Sequence, residues 1–323
     1  MNYYIKYIFV IILLAICGYM FENYKKAELN NDKMNEYELI KKYLLNDSTL
    51  ARTNKPILWI HVTFETNARW WASYGSRNTE CFNQPYQYLT IKSIIDKCGD
   101  SFNICLINDK SFNKIIPGWS TKIANLPNPL RPHLRELAMA KLLYYYGGMT
   151  VPSSLICMRN LKPLYHKGLS NVSMFCGELP SKSVVSTYAE IFPSHLIMGC
   201  IKECSLMQKY VSYLERLVSS DYTNEMEFTG ETNKWLYEQV RQQNVMALDA
   251  NYFGVKTELG NPVLIDELMS DDDDFNLPKC IYGVYIPAKE ILTRTNYQWF
   301  ARLNAEQVLN SNTIIARYLL LSN

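Results

Sequence analysis

The feature that most constrains this chain is a helix that passes into a strand through two adjacent glycines. Residues 134–146 (LRELAMAKLLYYY) read as a strong helix, and Gly147-Gly148 closes it. Residues 149–157 (MTVPSSLIC) then return to strand character. A glycine pair lets a helix end tightly and lets the backbone turn at once into a neighbouring strand, because glycine carries no Cβ to clash. The segment therefore predicts a strand that starts directly beneath the end of its own preceding helix. That is the construction of an α/β domain.

The residues before it support the same architecture. Residues 57–62 (ILWIHV) form a short apolar run that suits a buried strand. Residues 86–98 carry Leu89, Ile91, Ile94 and Ile95 at helical spacing, with Gly99 as the stop. Residues 102–107 (FNICLI) are a second strand, closed by Asn108-Asp109. Strand, helix and strand, with the strands apolar throughout, predict a parallel sheet covered on both faces. Pro117, Gly118, Pro127, Pro129 and Pro132 break the next stretch into loop. Further on, 172–176 and 196–200 read as strands, and 206–217 as an amphipathic helix. Residues 230–243 read as another helix, 281–286 as a late strand and 305–321 as a closing helix.

Composition excludes several classes. With 48% hydrophobic and 20% charged residues the chain can build a core, so bulk disorder is excluded. A net charge of +2 leaves no basic excess to neutralise a phosphate backbone, so no nucleic-acid partner is expected. The nine cysteines contain no CxxC pair, which removes zinc-ribbon and thioredoxin readings. No P-loop, nucleophile elbow or dinucleotide fingerprint occurs.

Residues 7–21 (YIFVIILLAICGYMF) are apolar or aromatic apart from Gly18. Counting the flanking tyrosines, residues 3–21 reach the length of a membrane-spanning helix. A cleaved signal peptide is the alternative, although the small-x-small cleavage pattern is missing. The resulting organisation is a transmembrane signal-anchor at 1–24, a polar and partly helical stalk at 25–55, and an α/β domain at 56–323. A signal-anchor sets the C-terminal domain on the extracytoplasmic (lumenal) side of a single-pass membrane protein. Abundant Tyr (24), with Asn, Ile and Lys plentiful and Gly sparse (13), reads as a bias toward A/T-rich codons, as in a virus or parasite, and adds a virion as a second setting. The sequons at Asn46 and Asn171 are compatible with this.

Residues 135–154 (RELAMAKLLYYYGGMTVPSS) resemble the core of the sugar-binding DxD glycosyltransferases and the related capsular-polysaccharide synthesis proteins. There a helix with an S-D-x-x-R start runs into L-Y-x-x-G-G and a strand reading I-Y-x-D-x-D or I-W-x-D. The likeness extends more loosely to 57–62 and 192–217. It implies a glycosyltransferase-A-like (Rossmann-like), mostly parallel sheet flanked by helices. It also implies a nucleotide-sugar donor and a glycan or glycoprotein acceptor, with ligands at the carboxyl edge of the sheet. In that family two carboxylates hold a divalent cation against the donor diphosphate. Aligned on Gly147-Gly148, Glu136 stands at the helix aspartate and Met139 at the helix arginine, while Pro152 and Ser154 stand at the two metal aspartates. Proline offers no ligand and a serine hydroxyl a poor one, so neither Mn²⁺ nor Mg²⁺ is expected at the family position, and no metal ligand is assigned.

The candidate donor-binding residues are Thr63, Glu136, Gly147, Gly148, Ser153 and Ser154, the serines as hydrogen-bond donors to phosphate in a metal-free site. Glu178 and Asp249, each near the end of an apolar segment, are candidates for a catalytic base or a relocated ligand. Asp271 to Asp274 read as a solvated loop, and the four histidines show no HExxH or triad spacing. Three readings stand open: a glycosyltransferase with a degenerate or metal-independent donor site, a catalytically inactive descendant used for binding on a membrane or virion, and an unrelated α/β protein.

Overall fold

The structure of the protein, a computed structural model, describes residues 20, 55–63, 84–180, 191–220, 225–271 and 276–322. The chain divides into Met1–Leu44 and Leu45–Asn323, and the fold described here belongs to the second unit. All of the apolar run at 7–21 except Met20, the stalk up to residue 54 and Asp272 to Asp274 lie outside the described residues. Among the described residues no helix is long and apolar enough to cross a membrane.

The elements in chain order are β1 (Ile57–His61), α1 (Gln87–Cys98), β2 (Asn103–Ile107), α2 (Asp109–Ile115), α3 (Leu130–Tyr146), β3 (Gly148–Thr150), β4 (Leu155–Cys157), α4 (Lys162–Gly168), β5 (Met174–Pro180) and β6 (Ile191–Cys200). They continue with α5 (Ser205–Ser219), α6 (Glu225–Arg241), β7 (Met246–Leu248), α7 (Ile265–Leu268), β8 (Gly283–Tyr285), α8 (Ala288–Thr293), α9 (Ala305–Leu309) and α10 (Ile314–Ser322). Six strands form the main sheet in the order β2-β1-β3-β6-β5-β7, while β4 and β8 make a separate antiparallel pair. β1 runs parallel to β2 and β3, and β5 parallel to β7; β6 runs antiparallel to both β3 and β5. The sheet is thus mainly parallel, with β6 as its reversed strand.

Both faces are covered, as apolar parallel strands require. Trp59, Cys105, Ile107, Cys176 and Met198 share one buried cluster with Phe112 of α2, Leu137 of α3, Tyr210 and Leu214 of α5, and Leu236 of α6. Leu58, Ile60 and Leu106, which alternate with them, are also fully buried. A second cluster joins Leu89 of α1 and Ile156 of β4 to Val284 of β8, Ile291 of α8 and Leu319 of α10.

The glycine pair acts as the sequence implies. Gly147 has φ +71° and Gly148 φ +95°, and a Cβ on Gly148 would lie 2.2 Å from the Ile57 carbonyl oxygen. The Trp59 indole N–H donates to the Gly147 carbonyl at 3.0 Å, tying the helix end to β1.

Elsewhere the structure departs from the expected elements. Residues 149–157 are two strands in two sheets, because the chain turns at Pro152, whose carbonyl accepts from the Leu155 N–H. Helix α3 starts at Leu130 and tolerates Pro132, since first-turn residues have no intrahelical acceptor to lose. Asn108-Asp109 opens a helix, α2, which Asn108 caps through the Lys110 and Ser111 N–H groups. The closing helix is divided into α9 and α10.

Candidate functional site

In an open sheet of parallel strands, ligands bind beyond the carboxyl ends. Here β1, β2, β3, β5 and β7 all end at the same edge. Helix α3 leads into β3 through the tight glycine turn, so its first two turns also stand at this edge.

The most tightly built cluster was not among the residues singled out from the sequence. His61 is the last residue of β1, and its Nε2 lies 3.0 Å from Asp109 Oδ1, just beyond β2. Arg135 of α3 grips the same carboxylate with two N–H groups, Nε to Oδ1 at 2.8 Å and Nη2 to Oδ2 at 2.7 Å. The three side chains are largely shielded, at 15%, 15% and 16% exposure. The His61 ring stacks on Phe112, with the planes 4° apart. Burial pushes the Asp109 carboxyl up, but the hydrogen bonds and charges of His61 and Arg135 outweigh it and hold the group well below the usual carboxylate range. Asp109 is therefore a fixed anion. When His61 Nε2 carries the ring proton and donates to Asp109, Nδ1 is left as a proton acceptor. Arg135 and Asp109 cancel in charge within the cluster.

Glu136, the next residue of α3, is buried and points the other way. Its Oε1 accepts the Tyr210 hydroxyl at 2.6 Å and lies 3.4 Å from Nδ1 of His195 on β6. Burial first, and then the Glu136 charge and hydrogen bond, raise the Tyr210 phenol well above its usual range, so Tyr210 remains a donor.

The remaining expected residues fall into two groups. Thr63 follows β1 at the edge, half-buried. Ser153 and Ser154 follow β3, and their hydroxyls are engaged within the protein. Ser153 Oγ donates to Gln87 Oε1 at 3.0 Å and Ser154 Oγ to the Ile286 carbonyl at 2.7 Å. Glu178, within β5, and Asp249, just after β7, each come one residue after the paired Gly177 and Leu248. Glu178 Oε2 accepts from the Ala250 N–H at 3.3 Å, and Asp249 Oδ1 from the Asn251 N–H at 2.8 Å, so both carboxylates cap the turn at Ala250–Phe253. Gly147 and Gly148 are not at this edge. They stand at the amino end of β3, and their contacts there, to Trp59 and Ile57, are structural. Among the described residues no three His, Cys, Asp or Glu side chains group as metal ligands.

An open depression of ≈ 480 Å³ lies beside the turn that Asp249 caps, lined by Asn251, Thr257, Glu258, Gly260, Pro278 and Lys279. It includes neither His61, Glu136 nor Ser153, and the convergent chemistry at the sheet edge is the better guide to a site. Residues 64–83 and 181–190, which follow β1 and β5, lie outside the described residues.

His61, Asp109 and Arg135 were legible only through position. His61 and Asp109 occupy the carboxyl ends of the first two strands, and Arg135 directly precedes Glu136. Spacing along the chain carries no trace of their contact.

No protein-family model matches the chain, and no curated protein matches it. Among solved structures it is similar to mouse xyloside xylosyltransferase 1 in the apo form, at 9% identity and a TM-score of 0.35, over 62% of this chain and 87% of that one. A likeness at this level fixes neither family nor activity.

Proposed function

We propose that the carboxyl edge of the six-stranded sheet binds a nucleotide-sugar, and that the chain is a glycosyltransferase-like protein acting on a glycan or glycoprotein acceptor. The observation that carries this reading is the shielded His61–Asp109–Arg135 cluster at the carboxyl edge of the sheet, the edge at which Thr63, Ser153, Glu178 and Asp249 also stand. The resemblance of residues 135–154 to sugar-binding transferases supports the same ligand class. In this reading the bond from the sugar to the diphosphate breaks as the acceptor oxygen bonds to the sugar carbon. A carboxylate, Glu178 or Asp249, takes the acceptor proton. Pro152 and Ser154 supply no carboxylate, so the donor diphosphate relies on protein donors at the edge. The segment at residues 3–21 would anchor the domain to a membrane on its extracytoplasmic (lumenal) side, at a cell membrane or on a virion.

The test is a thermal-shift panel of UDP- and GDP-sugars with and without EDTA. A donor at about 100 times its Kd raises Tm by roughly 4–8 °C, and the shift persists in EDTA. A panel in which no donor moves Tm overturns the proposal. A second reading, a binding protein without turnover, is favoured by the engagement of Ser153 and Ser154 with Gln87 and Ile286. Donor binding with no sugar transfer or donor hydrolysis would select it.

A further inference from the structure

The pairing of β5 with β6 is broken at one point. Cys176 faces Met198, yet Gly177 faces Ser194, so one step along β5 spans four along β6 and residues 195–197 form a three-residue bulge. Bulges of this kind re-aim side chains and gather beside functional sites. This one has a defined position. β3 pairs with β6 no further than Thr150 opposite Met198. The bulge therefore begins where β3 ends, and the reversed direction of β6 carries residues 191–197 past the β3 tip.

His195 is the first residue of the bulge. Its side chain is 25% exposed, and its Nδ1 is buried 3.4 Å from Oε1 of Glu136, without a hydrogen bond to any described residue. Glu136 is 6% exposed at its side chain and is itself held by the Tyr210 hydroxyl. A buried carboxylate 3.4 Å from one ring nitrogen of a histidine that is only 25% exposed favours the tautomer with the proton on that nitrogen. With the proton on Nδ1 toward Glu136, Nε2 is the nitrogen available to a ligand.

We infer that the β6 bulge presents His195 to a phosphate oxygen of a nucleoside diphosphate lying beyond the β3 tip, and that the buried Glu136–Tyr210 pair is the positioning device for its ring. The inference rests on the nucleotide-sugar reading of the sheet edge and names one contact within it. A protonated ring donates from Nε2 to the phosphate and adds a positive charge, compensating in part for the carboxylates that Pro152 and Ser154 do not provide.

The test uses the full chain, with UDP and GDP as probes and uridine and guanosine as phosphate-free controls in isothermal titration calorimetry. His195→Ala should weaken diphosphate binding by about tenfold or more, while nucleoside binding changes less than about twofold; His195→Gln, which keeps a donor, should recover part of the loss. Glu136→Gln should weaken diphosphate binding several-fold. Nitrogen NMR of histidine-labelled protein, with only four histidines to resolve, should show the His195 ring-nitrogen shifts move in Glu136→Leu, which removes the acceptor facing Nδ1. If wild type binds neither diphosphate, the nucleotide-sugar reading falls and this inference with it. If wild type binds and both His195 variants bind equally well, the inference alone falls. Unchanged His195 ring-nitrogen shifts in Glu136→Leu overturn the positioning role, and this readout needs no ligand.

Discussion

Arg135 and Glu136 are consecutive residues of α3 whose side chains serve opposite halves of one sheet edge. Arg135 holds Asp109 beyond β2 with two hydrogen bonds, while Glu136 faces Tyr210 of α5 and His195 of β6. Adjacent residues on a helix project about 100° apart, so one turn of α3 braces two separate polar clusters.

Removing Arg135 leaves a shielded carboxylate with one partner fewer. Arg135→Ala should destabilise the domain by about 1.5–3 kcal/mol, read from urea unfolding. In the double variant with Asp109→Asn the two losses should be less than additive. Additive losses would mean that the pair does not interact in solution.

The depressed Asp109 carboxyl makes an acid-side prediction. Its folded-state pKa lies below the ordinary value of about 3.9, so between the two values the unfolded chain binds more protons and stability rises with pH. The contribution is complete above about pH 5 and is lost as pH falls through the folded value. Asp109→Asn should be less stable than wild type at neutral pH and should lose less of its remaining stability on acidification. Parallel stability curves from pH 6 down to pH 3 would contradict this.

Gly148 admits no side chain. A methyl group would meet the Ile57 carbonyl oxygen at 2.2 Å, on a backbone at φ +95°. Gly148→Ala should cost about 2–5 kcal/mol, combining backbone strain with overpacking. A variant melting within a degree or two of wild type would show that β1 and β3 are not in this register.

Thiol labelling tests the core directly. Cys280 is exposed, whereas Cys98, Cys105, Cys157, Cys176, Cys200 and Cys204 are buried. Native iodoacetamide treatment followed by peptide mass spectrometry should modify Cys280 well before those six. Equal labelling of Cys105 or Cys176 would mean that the packed face of the sheet opens readily.

Much of the architecture was legible along the chain, because its signals are local. The apolar runs at 57–62 and 102–107, the periodic face of α5 and the glycine stop after Tyr146 each reflect a rule that acts within a few residues. The split between β3 and β4 was less legible. Both halves of 149–157 are apolar, and only the turn at Pro152 and pairing with β8 separate them. Helix α2 hid behind a strand end, although Asn108 followed by Ser111 is a capping pattern.

What the sequence determined by itself is that apolar strands and amphipathic helices build an α/β domain, and that a tight glycine turn joins α3 to the strand that follows it. Tertiary structure alone decided that β6 runs backward through the sheet with a three-residue bulge. It also decided that His61, Asp109 and Arg135 meet, across separations of 48 and 26 residues. The physical reason is that propensity and periodicity act over a few residues, whereas strand order and register depend on how whole faces pack. A one-residue change in register reverses which face every side chain meets.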